Sequence, residues 1–194
     1  MFKKFSENLV ASSKELKNVR VLTFCAMFAA LAVVLDNVAT IEITYYVEIG
    51  FSGIPNQLVD IFFGPVTGAF FAAALDIIKY AIKPSGTFFF GFTFDAMLAA
   101  FIYGIFYYKK PIRLWRILVA KGLVCLIVNV GFATLWLSML YGNSFMLLLP
   151  ARALKNLIMW PIDSIIFYII VRSLEKTGVF SSFLVSSPRG KNNS

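Results

Sequence analysis

The chain has no histidine and only two cysteines among its 194 residues, and only 14% of it is charged. Without histidine there is no histidine-based catalytic triad, and the commonest metal ligand is missing. Cys25 and Cys125 each lie inside a hydrophobic run and have no metal-ligand spacing to one another, so both read as small apolar packing groups. No Gly-x-x-x-x-Gly-Lys-Ser/Thr loop is present, which excludes ATP hydrolysis by the chain itself through such a loop. The shortage of charge is the most telling absence. A soluble domain carries about 25% charged residues, and this chain has too few to coat a water-soluble globule.

What fills the space is apolar. Hydrophobic residues make up 59% of the chain and the mean hydropathy is +0.79. They come in long runs, and about 20 apolar residues suffice to cross the hydrocarbon of a bilayer. The fold class expected is therefore an all-α integral membrane bundle of six transmembrane helices. The spans read as Val19 to Val38, Pro55 to Phe63, Val66 to Ile82, Phe92 to Tyr108, Leu118 to Tyr141 and Pro150 to Leu174. Gly64-Pro65 turns the chain sharply between the second and third, and Pro84-Ser85-Gly86 breaks it before the fourth. The segment from Ile41 to Ile49 partly alternates and is rich in β-branched residues, the pattern of a short strand or hairpin in an outer loop.

The net charge of +8 does not point to nucleic acid, because the bases form no single patch. They gather in the N-terminal segment, in Lys109, Lys110, Arg113 and Arg116, and beyond Arg172. Cytoplasmic loops collect such bases, so both termini are expected on the cytoplasmic side. The organisation that follows is a basic N-terminal segment (1–17), a six-helix membrane domain (18–176) and a flexible cytoplasmic tail (177–194). The N-terminal segment reads either as an amphipathic surface helix with Phe2, Phe5 and Leu9 toward lipid or as a frayed basic tail.

Lys79, Lys83, Arg152 and Lys155 break the charge rule by falling toward the outside. Ionisable groups in membrane helices cost about 2.5–3.5 kcal/mol on insertion scales and face a cavity or a partner. Asp76, Lys79, Tyr80 and Lys83 share one helical stripe, as do Arg152, Lys155, Asn156, Met159 and Asp163. Thr93 and Asp95 follow Gly91, and Gln57 and Asp60 lie on the short second helix. Structural pairing, such as Asp76 with Lys79, is one reading. The other is an anion site, since a guanidinium holds a carboxylate bidentately and an ammonium holds it as a point charge. The surrounding aromatics, among them Tyr45, Phe92, Trp136 and Tyr141, serve either as interfacial anchors or as a slot for a flat ring. Asp60, Asp76 and Asp95 also leave open a membrane-embedded enzyme, and an ion-driven secondary transporter is a further alternative. The alanines of the first helix, Ala26, Ala29, Ala30 and Ala32, suit close helix packing, inside the bundle or against another subunit.

At these residues the chain resembles a known family. The segments are Gly64-Pro65-Val66-Thr67-Gly68 with Asp76, Pro84-Ser85-Gly86-Thr87-Phe88, Gly91-Phe92-Thr93, Thr134-Leu135-Trp136-Leu137-Ser138 with Tyr141-Gly142, and Arg152 with Lys155-Asn156 and Pro161. Together, over residues 18 to 175, they resemble the substrate-binding S components of the energy-coupling factor (ECF) vitamin transporters, most closely the folate-specific type. Phe90 stands where the family pattern has proline, and Asp95 where it has a small polar residue. The resemblance implies a prokaryotic cell-membrane protein, not an enzyme and without a cofactor. It would bind folate near the outer face and join the transmembrane coupling subunit EcfT and two ATP-binding cassette (ABC) ATPase subunits. Ala26 and Ala30 match the coupling surface, and Asp76, Lys79, Lys83, Phe92, Thr93, Asp95, Trp136, Tyr141, Tyr45, Arg152, Lys155 and Asn156 are the candidate ligand-binding residues. Another anionic vitamin or precursor, such as pantothenate, is the alternative ligand.

Overall fold

The computed structural model describes the backbone of residues 2–38, 41–44, 47–49, 52–84, 87–142 and 145–177, and the side chains of 8–38, 52–84, 87–140, 142, 149–150 and 153–177. The tail expected beyond Thr177 lies outside the described residues. The elements in order are α1 (Phe2–Glu15), α2 (Val19–Val38), strands β1 (Ile41–Thr44) and β2 (Val47–Ile49), α3 (Gly53–Ile82), α4 (Phe90–Tyr107), α5 (Leu114–Val124), a π-helical segment (Cys125–Phe132), α6 (Ala133–Tyr141) and α7 (Phe145–Lys176). The two strands pair antiparallel, with Ile41 opposite Ile49 and Thr44 opposite Val47, and with one irregularity in the register between Glu42 and Thr44.

Five helical stretches are long and apolar enough to cross a membrane: Val19–Val38, Gly53–Ile82, Phe90–Tyr107, Leu114–Leu140 and Ala153–Lys176. The expectation of six separate spans needs one correction. The second and third are two arms of α3, joined at Gly64, whose φ of +88° and ψ of −177° are not helical. Only glycine adopts that conformation without strain, and Pro65 next to it withholds a backbone donor. An unbroken helix would carry residues 60 and 68 about 12 Å apart. Here a Cβ on Gly68 would stand 3.5 Å from the Asp60 Cα and would collide with the Asp60 carboxylate. The arms therefore fold back on one another, and the path of six segments is kept. The first arm, Gly53 to Phe63, is only about 16 Å long at 1.5 Å per residue, too short to cross about 30 Å of hydrocarbon.

A broken helix in a membrane leaves carbonyl and amide groups that no water can satisfy. Ser12, fully buried, satisfies them from another helix. Its hydroxyl donates to the Phe63 carbonyl (2.8 Å) and accepts the amides of Val66 (3.1 Å) and Thr67 (3.1 Å), while the Thr67 hydroxyl donates to the Ser12 carbonyl (2.7 Å). Ser12 acts as an N-cap supplied by α1 to the second arm of α3, the role a hydroxyl normally plays within its own chain segment. Of the two readings of the N-terminal segment, the structure shows a helix, docked through Ser12; the side chains of Phe2 and Phe5 lie outside the described residues.

Two apolar clusters organise the rest. Val21 and Ala32 of α2 pack on Val59, Phe63, Phe71 and Leu75 of α3. Leu58 and Ile61 of α3 meet Tyr107 of α4, Ile117 and Ala120 of α5, and Phe167 and Val171 of α7. Gly104 of α4 lies so close to the Pro65 backbone that a Cβ there would overlap it. Between α5 and α7, the Trp160 indole N–H donates to the Leu118 carbonyl (2.8 Å) and the Lys121 ammonium to the Asp163 carbonyl (2.8 Å).

Replacing Ser12 with alanine strips two amides and a carbonyl of their partner in a water-free site. Such orphaned groups cost about 1–3 kcal/mol each, so Ser12→Ala should lower the thermal unfolding midpoint of the detergent-solubilised protein markedly. Ser13→Ala is the control, because Ser13 is exposed and bonds only within α1, to Val10 (2.9 Å). Equal midpoints for the two variants would refute the cap.

Candidate ligand-binding site

At the end of the bundle away from Ser12, polar groups from four helices meet in pairs. Asp76, on the second arm of α3, accepts the hydroxyl of Thr93 on α4 (2.7 Å). Asp95, two residues further along α4 and buried, accepts the indole N–H of Trp136 on α6 (3.1 Å). Lys79 reaches across to α2, where it pairs with Asp36 (3.1 Å), and it also donates to the Ser52 hydroxyl at the start of α3 (2.8 Å). The pairing of Asp76 with Lys79 weighed from the sequence is thus replaced. Helical spacing placed them on one stripe, but each finds its partner on a neighbouring helix.

Aromatic rings surround these pairs. Phe132, the last residue of the π-helical segment, stacks on Trp136 with ring centroids 6.1 Å apart and planes 19° apart. Phe89 lies against both Trp136 (5.6 Å) and Phe92 (6.1 Å). A Cβ on Gly91 would stand 2.5 Å from the Phe89 ring and 2.7 Å from the Trp136 ring, so only glycine lets both rings close over the start of α4. π-turns recur at functional sites because they change which residues face inward. Here the segment ends where the ring pair begins.

The sequence-predicted residues divide into three groups. Asp76 with Thr93, Asp95 with Trp136, and Lys79 with Asp36 and Ser52 form the separate bonded groups just described, with Phe92 near the second through Phe89. Lys155 and Asn156 are half-buried on α7, and Lys83 is exposed at the end of α3. Tyr45 lies outside the described residues, as do the side chains of Tyr141 and Arg152, which belong to helices α6 and α7. The sequence reading did not single out Ser52, Phe132 or Asp36, which the structure brings to this end of the bundle. The i, i+4 spacing of Phe132 and Trp136 was the available signal for one of them. Ala26 and Ala30 are exposed on α2, whereas Ala32 is fully buried against α3.

The arrangement offers carboxylates held by neutral donors, a cation, and flat ring faces, which is equipment for binding. Among the described residues no group of three or more His, Cys, Asp or Glu side chains could hold a metal ion. The three acids considered for catalysis are held apart in role. Asp60 packs on Gly68, Asp76 binds a hydroxyl and Asp95 binds an indole.

A family model described as the substrate-specific component of ECF transporters matches residues 20–171, which leaves α1 outside the matched segment. The chain is 35% identical over 153 residues to the folate transporter FolT of Clostridium novyi (strain NT), covering 79% of this chain and 88% of that protein. It is 37% identical over 162 residues to the folate transporter FolT of Leuconostoc mesenteroides, covering 80% and 86% respectively. Among solved structures it is similar to the crystal structure of a FolT bound with folic acid, with a TM-score of 0.68 and 33% identity over 76% of this chain and 88% of that one.

The pairing of Asp76 with Thr93 rather than Lys79 can be tested by double-mutant cycles on unfolding. Asp76→Ala and Thr93→Val should couple by about 1 kcal/mol or more, as groups in direct contact do. Asp76→Ala and Lys79→Met, which share no direct bond, should couple more weakly than that pair. The reverse result would restore the pairing along one helix.

Proposed function

Because the chain belongs to the substrate-specific components of ECF transporters, we propose that it binds folate with high affinity and hands it to an ATP-driven module that imports it. The observation that carries the ligand is the two bonded pairs, Asp76–Thr93 and Asp95–Trp136, with the rings of Phe89, Phe92 and Phe132 packed about Trp136. Folate consists of a flat pterin, an aryl linker and a glutamate with two carboxylates. The pterin presents adjacent N–H donors, which a carboxylate accepts in pairs, and its faces suit aromatic stacking. The glutamate carries two negative charges, for which Arg152, Lys155 and Asn156 on α7 are the candidates. The names of the similar proteins given above, two folate transporters and a folic acid complex, favour folate over pantothenate, which has one carboxylate and no ring.

The energetics are adequate. Nanomolar affinity needs about 12 kcal/mol. Ring burial, the paired N–H contacts and two charge-assisted contacts reach that range when the receiving groups are already ordered. In this reading the protein is a carrier subunit and not an enzyme, and its energy comes from partners, EcfT and two ABC ATPases. The ligand site lies at the outer face of the cell membrane, both termini are cytoplasmic, and delivery requires the subunit to reorient in the bilayer. The exposed Ala26 and Ala30 on α2 would form the contact with the coupling subunit, where small side chains let helices approach closely.

The purified chain should bind folate, read by tryptophan quenching or calorimetry, and a panel of vitamins should show folate giving the largest thermal shift. Arg152→Ala or Lys155→Ala should weaken binding by about 2 kcal/mol or more, the range for truncating one side of a buried charge pair. Stabilisation by pantothenate and not by folate would overturn the assignment.

The double substitution Ala26→Leu with Ala30→Leu should leave folate affinity within about twofold and abolish uptake in cells holding the ATP-driven module. Loss of binding in that variant would instead assign the two alanines to packing within the bundle.

A further inference from the structure

At the end of the bundle opposite the ligand site, α1 lies across the break in α3 and is tied at two points. Ser12 holds the break itself, and Asn8 accepts the Lys109 ammonium from the turn between α4 and α5 (3.1 Å). Lys109 is the one non-glycine residue with positive φ (+54°) among the described residues. A left-handed lysine is uncommon, and such strain persists where surrounding contacts hold it. The conformation carries the Lys109 side chain over the Tyr108 ring, 4.8 Å from its centroid, and toward α1.

The surface around this junction is basic and amphipathic at once. Lys14, Lys17, Arg20, Lys109, Lys110 and Arg113 are all exposed there. The acids at this end are Glu7 on α1, whose side chain lies outside the described residues, Glu15, and Glu175, which is bonded to Arg172 (2.8 Å). Partial loss of hydration, and then the nearby Arg116, push the Lys110 ammonium below its usual range. Among these cations stand apolar groups that water does not favour. Trp115 is 71% exposed at the start of α5 and Val10 is 51% exposed on α1. Bases interleaved with an exposed tryptophan are the composition of a surface lying at the boundary between headgroups and acyl chains.

We propose that α1 and the turn between α4 and α5 form a binding surface for anionic phospholipid headgroups. The lipid phosphates neutralise the crowded cations, Trp115 sits at headgroup level, and α1 is pressed onto the break that Ser12 caps. An acidic protein surface would match the charge but not the exposed indole and valine, which is why lipid is favoured. The inference is independent of which small molecule the other end holds.

The test is reconstitution of the full chain into phosphatidylcholine vesicles and into vesicles of equal parts phosphatidylcholine and phosphatidylglycerol, with thermal unfolding and amide exchange of α1 as readouts. Each base near an anionic surface contributes enough that the mixed vesicles should raise the midpoint by about 4 °C or more and slow exchange in α1. High salt should erase the difference in the unmodified protein. The triple variant Lys14→Gln, Lys17→Gln, Arg113→Gln should lose most of the shift while its folate affinity stays the same. Equal midpoints in the two vesicle types would overturn the proposal. So would a triple variant that keeps the full lipid shift but loses uptake, since that would assign the surface to a protein partner.

Discussion

The structure depends on how one interruption in a membrane helix is satisfied. Gly64-Pro65 ends the first arm of α3 and starts the second, and in hydrocarbon the carbonyl of Phe63 and the amides of Val66 and Thr67 have no water to turn to. A single hydroxyl, that of Ser12, serves all three. Once the break is tolerated, the rest of the packing follows from it. The arms fold back, so that Gly68 must be small to admit Asp60, and α4 can come close enough to Pro65 to require Gly104. That close approach sets α4 alongside the second arm of α3 for their full length, and at the far end Asp76 then meets Thr93.

The far end is built on a different principle. There no single group holds several helices. Three pairs instead join helices two by two: α3 to α4 through Asp76 and Thr93, α4 to α6 through Asp95 and Trp136, α3 to α2 through Lys79 and Asp36. Pairwise bonding suits a receptor. A carboxylate already oriented by one donor retains lone pairs for others, so a ligand adds contacts to an ordered site without first having to order it. The entropy that binding would otherwise spend on fixing these side chains has been spent in folding.

The long apolar runs made α2, α4, α7 and the stretch from α5 to α6 legible in the sequence, because hydropathy over about 20 residues records membrane burial directly. The reversal at Gly64-Pro65 was legible too, from the two residues least compatible with a continuing helix. What the sequence did not reveal is what depends on contacts between distant segments. Ser12 lies more than fifty positions from the groups it caps, and nothing local marks it off from Ser13. Lys79 shares a helical stripe with Asp76, yet its partner is Asp36 on another helix. The π-helical segment escaped for a related reason. Its composition is that of an ordinary apolar helix, and the extra residue in its turn shows only in where Phe132 and Trp136 face. Asp76, Thr93, Asp95 and Trp136 were singled out as candidates because a polar residue in an apolar run is conspicuous, whereas Phe132, one apolar residue among many, was not.

The same limit governs α2. Its outward face includes Leu22, Met27, Leu31 and Val34, all exposed, and by polarity alone that face is suited equally to lipid or to another apolar helix. Lipid tails adapt to any shape and so impose no pattern of side-chain size. A helix partner does, since backbones approach only where side chains are small. Ala26 and Ala30, one turn apart, are exposed among those larger residues, and contact with lipid alone does not call for small side chains there. Ala32 shows the comparison within one helix: it is small because α3 lies against it. Shape, not hydrophobicity, is therefore the property on this face that distinguishes a docking surface from a lipid-facing one.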